Sequence, residues 1–176
     1  TINLNRCIQY AVNKNIDYKE YLSHVIDLCH KVQMAYNENL KDLLHHHMLP
    51  LFDAGYINID RQYLTIGING LVEAAEFMGL DITPNDEYKE FVQGVLGLIE
   101  TYNKQYRTKE AMFNCEMIPA ENVGVKHAKW DKADGYFVPR DCYNSYFYRV
   151  EDNSLTILDK FRLHGAPYIE HLTGGS

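Results

Sequence analysis

A chain of 176 residues, 46% of them hydrophobic, is long enough for a single domain with a real core. Its net charge of −7 excludes a general electrostatic grip on nucleic acid or on an anionic membrane, since both need clustered Lys and Arg; a local phosphate site stays open. No apolar run approaches the ~18 residues of a membrane span, and the opening "TINLNRCIQYAVNKN" lacks the features of a signal peptide, so the protein is expected to be cytoplasmic, without nucleic-acid or membrane partners.

In chain order, "TINL" reads as strand-like. From Asp17 to His47 apolar residues return at helical spacing, among them Leu22, Val25, Ile26, Cys29 and Val32, predicting one long or slightly broken helix that Pro50 and Gly55 end. "YLTIGING" predicts a short buried strand, and "LVEAAEFMG" a helix stopped by Gly79. "TPNDEYKEFVQGVLGLIETYNKQYRTKE" predicts a helix of roughly five or more turns, with Thr83 as N-cap and Pro84 at the first helical position. "AMFNCEMI" supplies another strand, "PAEN" a turn, and "DCYNSYFYRV" and "LDKFRLHG" further extended or hairpin pieces. This alternation predicts an α/β fold with parallel pairing in its first two-thirds. The Gly-Gly-Ser ending reads either as a turn leading onward, which makes the chain a segment of something larger, or as a linker scar.

Four groups of residues invite chemistry. Cys7, Cys29, Cys115 and Cys142 show no CxxC spacing, so free thiols are expected. His45 to His47 are consecutive, and successive residues on a helix point about 100° apart, so no metal site is expected there even though Asp42 and His46 stand four apart. The glycines of "TIGINGL" allow close packing of strand against helix or, alternatively, close approach of a ligand. "NCEMIPAEN" places a strand end before Pro119, so the backbone N–H groups of Ala120, Glu121 and Asn122 form a corner suited to an anion; a buried cysteine followed by a plain turn is the other reading. Strand alternation puts Cys115 and Met117 on one face, Asn114 and Glu116 on the other.

Taken in order, "TINL", "TIGINGLVEAAEFMG", "NCEMIPAEN", "YNSYFY" and "LHGAPYIEHLTGGS" resemble the catalytic half of anaerobic, class III ribonucleotide reductases, which are glycyl-radical enzymes. The resemblance implies a ten-stranded α/β barrel, of which residues 1–176 would be one internal segment. The finger-loop cysteine would lie before Thr1, and the zinc site and glycyl-radical segment after Ser176. It implies reduction of ribonucleotides by thiyl and glycyl radical chemistry, with substrate phosphates received at the "PAE" corner. Asn114, Pro119, Ala120, Glu121 and Asn122 are the implied substrate-binding residues; Cys115, Glu116 and Glu121 are the implied catalytic ones, in reductant or proton-transfer roles.

Also implied are ATP or dNTP effectors, a radical SAM activating enzyme, a thioredoxin-like reductant or formate, the remaining reductase chain, and a homodimer. A cysteine at position 115 points toward the thioredoxin-like donor. The chain alone is expected to be inactive. Two other readings compete: a non-catalytic nucleotide-phosphate-binding or split-subunit module that docks with another reductase chain, and a metal hydrolase built on His45 to His47.

Overall fold

The computed structural model describes residues 1–119 and 121–173, the side chains of Glu121 and of 166–173 excepted. Three strands, β1 (Ile2–Asn3), β2 (Tyr63–Asn69) and β3 (Met112–Met117), lie side by side in that order and all run parallel. Parallel neighbours need long crossovers, and helices supply them. Between β1 and β2 come α1 (Leu4–Asn13), α2 (Tyr18–His45) and the short α3 (Pro50–Asp53); between β2 and β3 come α4 (Leu71–Phe77) and α5 (Asp86–Tyr106). After β3 the chain forms α6 (Glu121–Ala133), an irregular stretch over 134–156, and α7 (Ile157–Thr173).

The register fixes two unlike faces. Ile2 pairs with Ile68, Ile66 with Cys115, and Ile68 with Met117, so these side chains share one face. That face packs on Ile8 of α1, Leu22 and Ile26 of α2, Val72 of α4, and Phe91, Val95 and Ile99 of α5, which together make the core. The other face carries Asn3, Thr65, Gly67, Asn69, Asn114 and Glu116. It is the more polar face, and α6 covers its C-terminal end through Asn3 and Asn69.

Several boundaries differ from the sequence reading for identifiable reasons. "TINL" is a strand for two residues only. Asn3 then accepts a hydrogen bond from Arg6 N at 3.1 Å and starts α1, a ten-residue helix that buries Leu4, Ile8 and Ala11. The helix expected to begin at Thr83 begins at Asp86, because Asn85 is the cap, its Oδ1 accepting from Tyr88 N at 2.8 Å.

"PAEN" is no isolated turn, since α6 starts at Glu121. "LDKFRLHG" is helical rather than extended. A capping box starts α7: Thr156 Oγ1 accepts from Asp159 N at 3.2 Å while Asp159 Oδ2 accepts from Thr156 N at 3.1 Å. "DCYNSYFYRV" forms no strand; it is irregular backbone anchored by the buried Tyr143 and Phe147. The α2 and Gly79 expectations agree with the structure: Asp17 caps α2, and Gly79 takes a left-handed φ of 76° after α4. Among the described residues no helix is long and apolar enough to cross a membrane.

Candidate functional site

In a parallel sheet the C-terminal strand ends and the N-termini of the following helices converge on one edge. Here β1 ends at Asn3 and leads into α1; β2 ends at Asn69 and turns through Gly70, with φ 78°, into α4. β3 continues the ladder for one more residue, Ile118 N donating to Ile68 O at 3.2 Å, then passes Pro119 and enters α6. The first backbone N–H groups of α6 have no intrahelical acceptor, and the helix dipole adds partial positive charge there. An anion is the natural complement.

A stripe of α6 that hydropathy does not flag holds this helix in place. Gly124, His127 and Asp131 recur at spacings of three and four and face inward. A Cβ at Gly124 would lie 2.9 Å from Tyr143 O, so the first turn of α6 rests directly on the Cys142–Tyr143 backbone. His127 Nδ1 is 3.2 Å from Asn69 Oδ1, and Asn69 Nδ2 donates to Asn144 O at 3.2 Å. Burial holds the His127 imidazole below its ordinary range, with Asp131 pulling the other way.

Asp131 is fully buried and gathers donors from two distant parts of the chain, residues 3–6 and Tyr143. It accepts from Asn3 Nδ2 at 3.0 Å, Asn5 Nδ2 at 3.2 Å, Arg6 Nε at 2.6 Å and Tyr143 OH at 2.6 Å. Burial and the Asp131 carboxylate push the Tyr143 phenol far above its usual range, which keeps it a donor. Gln9 completes the stitching by exchanging hydrogen bonds with the Phe137 backbone at 2.8 and 2.9 Å.

A second buried carboxylate, Glu73 of α4, accepts from Arg140 Nη1 at 2.6 Å and from Asn144 N at 2.9 Å. Burial raises its carboxyl above the usual range against the pull of those donors. Together these contacts fix α6 and the 137–147 backbone onto the ends of β1 and β2.

Asn114 and Glu116 project from the open face of β3 and bond to each other, Nδ2 to Oε1 at 2.7 Å. Pro119 and Asn122 are exposed at the corner. Glu121 supplies the first residue of α6, although its side chain lies outside the described residues, as does Ala120 altogether. Cys115 is elsewhere: it faces the helices beside Ile66, and burial pushes its thiol up to about 12. Cys115 and Glu116 therefore occupy opposite sides of the strand.

At pH 8 a thiol with pKa about 12 is thiolate roughly once in 10,000 molecules, and the thiolate is the reactive form. Native Cys115 should thus stay unmodified by iodoacetamide at pH 8 until the protein unfolds. Labelling of native Cys115 as fast as in denatured protein would contradict this placement.

His45 ends α2, His46 Nδ1 lies 2.8 Å from Asp42 O, and His47 Nδ1 lies 3.1 Å from Asp53. His46 and His47 thus have different partners, and the His45 ring meets the His46 ring edge-on at 5.3 Å. Among the described residues no group of three or more His, Cys, Asp or Glu is arranged to hold a metal. None of the four cysteines is in a disulfide.

The family model of anaerobic ribonucleoside-triphosphate reductase matches residues 1–176. The chain belongs to that family. Solved structures of the anaerobic ribonucleotide reductase from Thermotoga maritima share its fold. One with dATP bound in the specificity site is 28% identical, with a TM-score of 0.85 over 99% of this chain and 31% of its own. Another, in complex with dATP and CTP, is 28% identical, with a TM-score of 0.86 over 99% of this chain and 30% of its own. This reductase-family chain therefore spans about a third of the solved relatives' length. No curated protein sequence matches it.

Asp131, Tyr143, Asn3 and His127 were missed as site-building residues by the sequence reading. Their one signal was a polar stripe on α6, His127 and Asp131 four apart with Gly124 a turn before, where an amphipathic helix should show apolar residues.

Proposed function

We propose that the chain is part of the ten-stranded α/β barrel of an anaerobic ribonucleotide reductase, and that the β3–α6 corner receives the phosphates of the ribonucleotide substrate. The observation that carries this reading is the first turn of α6. It opens at the C-terminal edge of a parallel sheet, on a helix that Gly124 and the buried Asp131 fix against Tyr143, in a family with a solved member complexed with CTP. The outer edges of β1 and β3 pair with no further strand among the described residues. In this reading they are where the remaining barrel strands add, from the same polypeptide or a separate one.

Radical chemistry, supplied from outside these residues, would abstract hydrogen from the ribose. The residues of this chain bind, orient and move protons. Backbone N–H groups at Glu121 and Asn122 hold the phosphates, which brings the sugar over the polar face of the sheet. Glu116, oriented by the Asn114 amide, is placed to accept a proton from a ribose hydroxyl. Glu121 is the second candidate for that role. Cys115, partly buried against the core on the opposite face of β3, is assigned to packing rather than to electron delivery. The described residues offer zinc no ligand set, so no step here uses it.

Ribonucleotide, dNTP effectors, an activating radical enzyme, a reductant and a second subunit are the partners this function requires. An anaerobic assay of the activated full-length protein with labelled ribonucleotide tests it. Deoxyribonucleotide above an unactivated control is the expected result. Nucleotide binding without any product would instead favour the non-catalytic binding module.

A further inference from the structure

The geometry points to Gly67 as a positioning residue for nucleotide binding that acts through Ile118, an inference that rests on the phosphate-corner reading above. Gly67 lies inside β2, paired with Glu116 of β3, on the polar face of the sheet. Its φ is outside the left-handed region, so conformation does not explain a glycine there. Space does. A Cβ at Gly67 would sit 2.5 Å from Ile118 Cγ1, 2.9 Å from Ile118 Cδ1 and 3.0 Å from Thr1 Oγ1. Optimal carbon contacts are ~3.5–4.0 Å, so a methyl group at this position requires Ile118 to move.

Ile118 has little freedom to move by itself. A β-branched side chain is stiff at χ1, and the Ile118 N–H is bonded to Ile68 O at 3.2 Å. The next residue, Pro119, has a nearly fixed φ. Displacement of Ile118 therefore passes through Pro119 to the start of α6. Gly67 sets how far Ile118 folds over the sheet, and so where the first N–H groups of α6 stand relative to the sugar-facing side chains Asn114 and Glu116. The close packing expected of this glycine is real, but its partner is the residue before the corner and not a helix.

The test is a double-mutant cycle in the full-length protein, with CTP as probe and cytidine as the phosphate-free control. Gly67→Ala should weaken CTP binding by roughly tenfold or more, since small misplacements of positioning groups are costly, and should change cytidine binding far less. Ile118→Ala alone should stay within about threefold of wild type, and Gly67→Ala/Ile118→Ala should return to that level, because the clashing atoms are gone. Where Gly67→Ala alone does not fold, the double variant carries the test against Ile118→Ala. Matching CTP affinity supports the inference and weaker affinity overturns it.

An unchanged CTP affinity in Gly67→Ala, or a loss that the second substitution does not relieve, also overturns it without touching the phosphate corner. Failure of the corner itself would show differently. Glu121→Pro would then leave CTP affinity at the Glu121→Ala level, and the inference would fall with it.

Discussion

Glu121→Pro should raise the KM for ribonucleotide by roughly ten- to a hundredfold over Glu121→Ala in the activated full-length protein. Glu121 is the first residue of α6, the helical position where proline is best tolerated, because its φ is already suitable and its N–H has no intrahelical acceptor. The substitution therefore preserves the helix while deleting one donor at the corner. A hydrogen bond to a charged group is worth ~1.5–3 kcal/mol, which gives the expected change in KM. Glu121→Ala removes the carboxylate and keeps the N–H, so it should hold KM near wild type and act on kcat if Glu121 moves a proton. Steady-state kinetics on the two variants separate the contributions. Equal KM values would mean that the N–H of residue 121 does not touch substrate.

Asp131→Ala should destabilise the protein by ~3–5 kcal/mol, the usual consequence of removing one partner from a buried ionic cluster. The loss falls mainly on Tyr143 and Asn3, whose donors keep no comparable acceptor, while Asn5 retains the Phe137 carbonyl at 3.0 Å. Arg6 suffers less, since it is about one-third exposed and retains Asp134 at 2.6 Å. Tyr143→Phe, which removes one donor to Asp131 and one acceptor for Asn5 Nδ2, should cost ~1–3 kcal/mol. Thermal midpoints read both. At ~2–4 °C per kcal/mol for a chain of this size, Asp131→Ala should fall by about 10 °C, and a drop of less than about 2 °C would show that the cluster does not hold α6.

The sequence made the layered parts of the fold legible. Short apolar runs in "YLTIGING" and "AMFNCEMI" marked β2 and β3, helical periodicity marked α2, and the Pro84 region with first-turn acids marked α5. It failed where polar contacts do the organising. α1 follows a two-residue strand with no separate turn signal, since Asn3 serves both as strand end and as helix cap. α6 presents Gly124, His127 and Asp131 to the interior, so an amphipathic pattern never emerges. α7 carried a readable capping signal, Thr156 with Asp159 three residues later, which the aromatic run before it obscured.

The candidate site was legible in the same partial way. The end of β3 before Pro119 follows from the proline, and the split of Cys115 from Asn114 and Glu116 from alternation. The residues that fix the corner do not: Tyr143 and Asp131 are 12 apart in sequence and Asn3 is 128 from Asp131, and only folding joins them.

A crystal structure of the full-length protein with bound ribonucleoside triphosphate, obtained anaerobically, tests the phosphate corner most directly. Phosphate oxygens are expected ~3 Å from the backbone nitrogens of the first turn of α6, with the ribose over Asn114 and Glu116. Phosphates bound away from that turn, with the ribose remote from the polar face of β3, would contradict it.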